Sequence, residues 1–450
     1  MSRYKRYEKY KDSGVEWIGE IPEHWEIGRL KNSIKSCRNG IWGDEPQGDN
    51  NDIACIRVTD FNRTNMEIEV NDLTIRNIPA SKQKLYLLKY GDLLIEKSGG
   101  GEKQPVGFVT IFKHNIPAVY ANFIARIELD KRKAYSGFFK YIYSAMYSIR
   151  LNVRSIKQTT GIQNLDTNYY FDERVMYPPL NEQIHIANFL DQKTAEIDGL
   201  IADKEKLIEL LQEKRQAIIT EAVTKGLNPS VKMKDSGVEW IGEIPEEWEL
   251  IKIKFVGTIY SGNGFKEELQ GKTEGDYPFF KVSDINGNGK LAISSNNYVD
   301  EDDVVNNGWN IIPKNSILFP KIGEALKKNH RKINACSCLI DNNIAAIKTN
   351  ERIIDFNYFY YYFCCVNAEW FVNPGAVPSI NNAYLKNFMV LLPSKNEQKA
   401  IANFLDQKTA EIDDLITEIK LQIRKLKEYR QSLISEAVTG KIDVRDYVVD

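Results

Sequence analysis

The sequence predicts an α+β protein, internally duplicated, with two mixed α/β modules separated by a pair of long coiled-coil helices. Three observations predict it. KDSGVEWIGEIPEHWE at 11–26 returns at 234–249 with only His24 exchanged for Glu247. NEQIHIANFLDQKTAEIDGLI at 181–201 returns at 396–416 with three differences. The stretches between these blocks, roughly 28–180 and 251–395, share almost no identity. Repeat offsets of 223 and 215 residues describe a duplication and not a solenoid, which needs three or more short repeats. One scaffold is used twice while the module on it differs, as expected where two related modules recognise two different things.

Taken in order, the first module (1–180) carries short strand candidates in DIACIRVTDF, GDLLIEKSGGG and VGFVTIF, followed by helical aromatic spacing at 135–153. The first long helix (181–228) follows. From Ile197 its 4-3 spacing gives Ile197, Ile201, Lys204, Ile208, Leu211, Arg215, Ile218 and Ala222. The second module (229–395) has strand candidates in YPFFKVSDI, NSILFPKIG and NIAAIKT, and a helix at 355–371. The closing segment (396–450) repeats the seam as Ile412, Ile416, Ile419, Ile423, Leu426, Arg430, Leu433 and Ala437. An apolar seam over about four heptads argues for a coiled coil. A helix from Ile186 to Thr224 would run about 58 Å at 1.5 Å per residue. Gly226 with Pro229, and Gly440, supply the stops. Matching seams in one chain are expected to pack on each other, antiparallel if each module caps one end. The polar seam residues Lys204, Arg215 and Arg430 are then the register markers.

The modules also answer each other faintly. IRVTDF (56–61) matches FKVSDI (280–285), GDLLIEKSGGG (91–101) matches NSILFPKIGEA (315–325), and KQTTGIQNLD (157–166) matches GAVPSINNAYL (375–385). One fold in two versions is expected.

Composition sets outer bounds. A chain of 450 residues with 42% hydrophobic and 11% aromatic content supports real cores. No run approaches the roughly 20 apolar residues that cross a bilayer, and MSRYKRYEKYKD lacks the apolar core of a secretory signal. The cytoplasm is the expected compartment. Six cysteines and four scattered histidines lack metal-site spacing, so no metal is expected. A net charge of −2 advertises no global field for a polyanion, although local patches decide such binding. The first module is rich in arginine (Arg38, Arg57, Arg63, Arg76, Arg126, Arg132, Arg150, Arg154, Arg174), whereas the second has only Arg331 and Arg352.

No catalytic signature is found. SGGGEKQPVG lacks the Lys-Ser/Thr pair of a phosphate loop. Glu96-Lys97 completes no acidic–x–Lys nuclease pattern, and neither a catalytic role nor a cofactor is expected. Binding chemistry is better represented. In the 97–104 loop, three glycines allow close backbone approach to a phosphate, Lys97 and Lys103 supply charge, and Ser98 and Gln104 supply polar contacts. The alternative is a hairpin tip with solvated charges. Lys157, Gln158, Thr159, Thr160, Gln163 and Asn164 in the first module suit phosphates and base edges, as do Lys321, Ser379, Asn381 and Asn382 in the second. Helix capping competes for the same Thr, Ser and Asn positions.

With these motifs assembled, the chain resembles a specificity subunit of a type I restriction–modification system over essentially its whole length. The resemblance rests on the duplicated KDSGVEWIGEIPExWE openings, the duplicated NEQxxIANFLDQKTAEID helices with their RQ(A/S)(I/L)I(T/S)EAVT ends, the EKSGGGEKQPVG loop and the variable modules between them. It implies that each module is a target recognition domain reading one half of a bipartite site in double-stranded DNA. It also implies that the shared helices form a spacer and bind two methyltransferase subunits, with restriction translocase subunits added. Methylation and cleavage would then belong to those partners, with no membrane involved. The runner-up from another class is a non-catalytic coiled-coil scaffold whose two modules bind proteins or glycans.

Overall fold

A computed structural model describes residues 4–159, 161–286, 289–373 and 378–447. Contacts group the chain into two compact units, one built from residues 1–206 with 419–450 and the other from 207–418. Each unit therefore joins one module to stretches of both long helices.

The first unit contains a six-stranded sheet in the order 34–39, 124–129, 93–96, 109–111, 67–68, 61–62. A three-stranded sheet of 118–120, 52–56 and 74–77 lies beside it in the chain's topology, with 118–120 parallel to 52–56. The second unit repeats this plan in its sheet of 257–261, 344–349, 317–320, 332–334 and 291–292. Its companion sheet again holds one parallel pair, 277–280 with 339–340. The expectation of one fold in two versions holds, although the strands share little sequence. Their alternating or continuous apolar runs, such as the buried Leu93–Ile95 and Ile317–Phe319, are what the fold reads.

One reading shifts. Helix 135–153 is shorter than its aromatic spacing suggested: it spans Ser136–Ser148, and a 3-10 turn at Leu151–Ser155 follows Arg150, which sits at φ 59°. Around KQTTGIQNLD, Ile156–Thr159 pairs antiparallel with Ile162–Leu165 as a β-hairpin.

The repeated segments explain themselves. Each KDSGVEWIGEIP opening is a β-hairpin, 10–12 with 20–22 and 233–235 with 243–245. The tryptophan three residues after each hairpin, Trp25 or Trp248, is buried, and its indole N–H donates to a glutamate in the first turn of a long helix. Trp25 Nε1 lies 2.9 Å from Glu182, and Trp248 Nε1 lies 3.4 Å from Glu397. Helix-ending glycines fit the same tryptophans: a Cβ on Gly440 would lie 3.0 Å from Trp25, and one on Gly226 would lie 3.2 Å from Trp248. Both glycines also have positive φ, so a side chain there would be strained as well as crowded. The single exchange between the openings has a local cause. His24 Nε2 sits 2.6 Å from Glu182, whereas Glu397 turns its second oxygen to Ser394 Oγ at 3.0 Å.

The long helices span Leu180–Lys225 and Lys395–Val438. They pair antiparallel in each unit. In the first, Lys204 Nζ donates to Gln422 at 2.7 Å and Arg430 pairs with Asp198; in the second, Arg215 pairs with Asp413. Ile197, Ile201, Ile412, Ile416, Ile419 and Ile423 are buried, while Ile208, Leu211 and Leu426 are half-buried, so the predicted seam is the face that packs.

Each helix is also pinned to its module by the same three residues. Gln183 accepts the Tyr135 N–H at 2.9 Å and Gln398 accepts the Asp355 N–H at 2.6 Å, each holding the start of an aromatic helix. Two turns further, Asp191 receives the Tyr141 hydroxyl at 2.7 Å and Asp406 receives that of Tyr361 at 2.7 Å. Thr194 and Thr409 complete each triad at 3.2 and 3.0 Å from the same hydroxyls. The cations differ. Lys140 and Lys113 reach Asp191 from the first module, and Lys290 reaches Asp406 from the second.

Candidate nucleic-acid interface

In the first module, two segments distant in sequence become one surface. Ser98–Gly99 pairs antiparallel with Asn164–Gln163, bringing the glycine-rich loop against the 156–165 hairpin. The Ser98 hydroxyl donates to Asn164 Oδ1 at 2.7 Å, and the Leu165 N–H donates to the Lys97 carbonyl at 2.8 Å. Lys97 Nζ is held by Asn39 Oδ1 at 2.8 Å. The loop needs its glycine at 100, where φ is +58° and a Cβ would lie 2.8 Å from Val106 N. Beyond it, Lys103 and Gln104 are exposed and border an open cleft of about 860 Å³ whose far wall is Thr59, Phe61 and Arg63. Glu96 lies in that wall but is buried and ion-paired to Arg63 Nη2 at 2.6 Å. Burial pushes its carboxyl upward against the pull of Arg63. Its carboxylate is thus engaged by Arg63.

The remaining expected residues divide. Lys157 and Gln158 are exposed on the hairpin, with Lys157 Nζ 2.7 Å from Asp166. Thr159 ends the first hairpin strand, and Thr160 lies outside the described residues. Gln163 is buried, and its amide oxygen accepts the Val106 N–H at 3.3 Å, so this side chain serves the hairpin's own packing.

The second module builds the same junction from other residues. Lys321 N–H donates to Asn343 O at 2.8 Å, as Lys97 N–H donates to Phe123 O at 2.8 Å, and Ile380 N–H donates to Lys321 O as Leu165 N–H does to Lys97 O. Ser379 therefore stands where Asn164 stands, and Asn381 where Asp166 stands. Asp166 and Asn381 are both helix N-caps, accepting the amides of Asn168 and Tyr169 or of Ala383 and Tyr384. The capping alternative describes Asn381: its Oδ1 is spent on the helix and its Nδ2 on Asn373. Asn382 is exposed in the first turn of that helix, and Gly375–Val377 before it lie outside the described residues. Lys321 is half-buried, and desolvation lowers its pKa despite Asp341 nearby.

Sequence comparison within the chain missed one feature. Val58–Asp60 and Val282–Ile285 are not strand continuations but tight helical turns that begin just after Arg57 and Lys281. In each, the aspartate folds back to accept the N–H of the basic residue at 2.7 Å. The signal was present in the match of IRVTDF to FKVSDI, whose common residues are Val and Asp. Among the described residues, no three His, Cys, Asp or Glu side chains converge as metal ligands, and no helix is long and apolar enough to cross a membrane.

A chain that builds one frame twice and varies the residues displayed on it is a two-headed recognition protein. Residues 22–210 and 245–425 match the family model described as type I restriction modification DNA specificity domain, and the chain belongs to that family. It is 27% identical over 312 residues to the type I restriction enzyme MjaVIII specificity subunit of Methanocaldococcus jannaschii, covering 67% of this chain and 70% of that protein. Among solved structures, a chain from a study of type I R-M complex assembly and conformational transition superposes with a TM-score of 0.64 at 14% identity, covering 93% of this chain and 98% of that one. The HsdS subunit from Thermoanaerobacter tengcongensis gives 0.51 at 14% identity, covering 94% and 98%. At such identities these two likenesses speak for the fold alone.

Proposed function

We propose that this protein is the DNA sequence-recognition subunit of a type I restriction–modification complex, reading a bipartite, asymmetric duplex site with one module per half. The observation that supports this most is the shared junction: Lys97 and Lys321 occupy the same backbone position in both modules, while most residues displayed around them differ. Two identical heads would impose twofold symmetry on the target; two different heads do not. The long helices carry the partner surfaces, where two methyltransferase subunits bind and restriction translocase subunits are added, and those partners perform methylation, translocation and cleavage. In this reading lysines of the 97–104 loop, Lys157 and Lys321 meet phosphates, and Ser98, Gln104, Gln158, Asn164, Ser379 and Asn382 contact the duplex.

The test is selection of the full chain against randomised duplexes at several salt concentrations. A bipartite, non-palindromic consensus with affinity falling steeply in salt is expected. Exchanging residues 251–395 for another module should rewrite one half-site and leave the other intact. Binding without sequence preference, or both halves changing together, would overturn the reading.

A further inference from the structure

Beside the Lys97 junction lies a second opening, of about 420 Å³, walled by Trp42, Arg57, Thr59, Asn122 and Phe123. Trp42 and Phe123 are large aromatic residues left 38% and 50% exposed. Phe123 ties this cleft to the glycine-rich loop, because its carbonyl accepts the N–H groups of both Lys97 and Ser98. The second module has its counterpart, about 560 Å³, walled by Phe265, Gln270, Lys281, Asp341 and Asn342 among others.

The frame of the two clefts is the same. Gly40 and Gly262 each press against backbone: a Cβ would lie 2.1 Å from Tyr120 O in one and 1.7 Å from Asp341 O in the other, so neither tolerates a side chain. Asp60 and Asp284 hold the basic residue's amide at 2.7 Å, and Asn122 and Asn342 are exposed at matching places. What changes is what the frame displays. Arg57 becomes Lys281, Ala121 becomes Asp341, Phe123 becomes Asn343, and Gly264-Phe265 replaces Trp42-Gly43. A fixed frame with altered tips is what two readers of different sequences require.

The two basic heads are also held differently. Asp60, only 7% exposed, accepts from Arg57 Nη2 at 3.1 Å as well as from its amide, which restrains the guanidinium through one nitrogen while the buried Nε makes no hydrogen bond. Arg57 Nη1 has no hydrogen-bond partner among the described residues, and the side chain is 38% exposed. Lys281 instead reaches away to Gln270 Oε1 at 2.8 Å, with Asp341 in the cleft beside it. A planar guanidinium restrained through one Nη2 hydrogen, with Nη1 and the second Nη2 hydrogen left for a ligand, matches the paired acceptors O6 and N7 of guanine.

We propose that Arg57 is a specificity-determining residue of the first module and reads a guanine in the major groove, with Lys281 as the positional counterpart serving the other half-site. This rests on the DNA-recognition reading above and adds the base and the residue. The guanidinium is oriented by Asp60 before binding, so little side-chain freedom is lost on contact.

The experiment uses the full chain with randomised duplexes, comparing wild type, Arg57→Ala, Arg57→Lys and Lys281→Ala. Both Arg57 variants are expected to lose discrimination at a single G·C pair by about 5- to 100-fold, leaving the other half-site as selective as before. Lys281→Ala should alter only the opposite half. Replacing that guanine by 7-deazaguanine should weaken wild type about tenfold and leave Arg57→Ala unmoved, a coupling that misfolding cannot imitate. If Arg57→Lys weakens all sequences alike, the residue contacts phosphate or merely holds the turn, and the proposal falls. Equal sensitivity of wild type and Arg57→Ala to 7-deazaguanine also overturns it. If wild type itself selects no sequence, the DNA-recognition reading fails first and this inference with it.

Discussion

Arg430 donates through Nη2 to Asp198 Oδ2 at 3.1 Å, and Arg215 makes the corresponding contact, Nη2 to Asp413 Oδ2, at 3.2 Å. Each partner of one pair lies 215 residues from its counterpart in the other, the same offset that relates the repeated helical segments. Seam arginines thus meet aspartates of the opposite helix and specify antiparallel register. The two pairs differ in exposure: side chains are 12% and 22% exposed for Arg430–Asp198, against 30% and 54% for Arg215–Asp413. Arg215→Ala should therefore cost under about 1 kcal/mol, as exposed pairs do. Arg430→Ala should cost more, and Asp198→Arg combined with Arg430→Asp should recover part of the loss. Urea midpoints of the full chain and its variants check this; equal, negligible losses at both sites would deny the seam pairs a role in register.

The Asp191–Tyr141 contact predicts what a transplanted module must bring. Lys140 is only 2% exposed and depends on Asp191 at 2.7 Å. Asp191 is itself 36% exposed and Lys140 would keep Glu67 at 3.9 Å, so Asp191→Ala should cost about 2 kcal/mol, the scale of a lost hydrogen bond to a charged group. Asp406→Ala should cost less, because Lys290 is 29% exposed. A foreign module should dock if it carries the tyrosine and any nearby cation, whatever strand or loop supplies it.

The same carboxylate predicts a pH response. Burial acts to raise the Asp191 pKa, but Lys140, Tyr141 and Lys113 outweigh it and hold the group below its ordinary value of 3.8. A depressed carboxyl contributes stability that is complete above that ordinary value and is lost as pH falls through the lower folded value. Stability should thus decline below about pH 4 more steeply in wild type than in Asp191→Asn, read as denaturant midpoints from pH 5 to pH 2. Parallel curves would sink the argument.

Much of this was legible beforehand. The seam, the helix stops and the duplication are local periodic signals, and Ile197, Ile416 and Gly226 stand where such signals put them. Module strands were visible as apolar runs, but their ends were not: RVTD reads as strand by composition, and only Asp60 bonding back to Arg57 N ends the strand at Ile56. Site residues were harder for a physical reason. Gln163 and Asn164 are adjacent in sequence, yet a β-hairpin points them to opposite faces, one buried and one half-exposed. Until KQTTGIQNLD is recognised as a hairpin, the two cannot be told apart.

That distinction predicts which polar residues govern stability and which govern binding. Gln163→Ala would leave the Val106 N–H without its partner, and Asn381→Ala would remove an N-cap worth about 1 kcal/mol. Both should lower thermal stability while the selected DNA consensus stays the same. A changed base at one position with unchanged melting would instead put these side chains on the DNA.

The last prediction concerns the paired lysines. Lys97 and Lys321 share a backbone position, but Lys97 Nζ is tethered by Asn39 whereas Lys321 is half-buried, its charged form penalised by desolvation. Lys103 is exposed on the loop beyond. If all three neutralise phosphates, each alanine variant should reduce the slope of log affinity against log salt by about one, and weaken every sequence similarly. Lys321 gains most from a phosphate, because an anion would return the solvation it has lost, so Lys321→Ala should show the largest drop in affinity at low salt. Lys321→Arg should keep the slope and Lys321→Met should lose it at similar side-chain volume, separating charge from packing. An unaltered slope in Lys97→Ala, Lys103→Ala and Lys321→Met together would take these loops off the phosphate backbone.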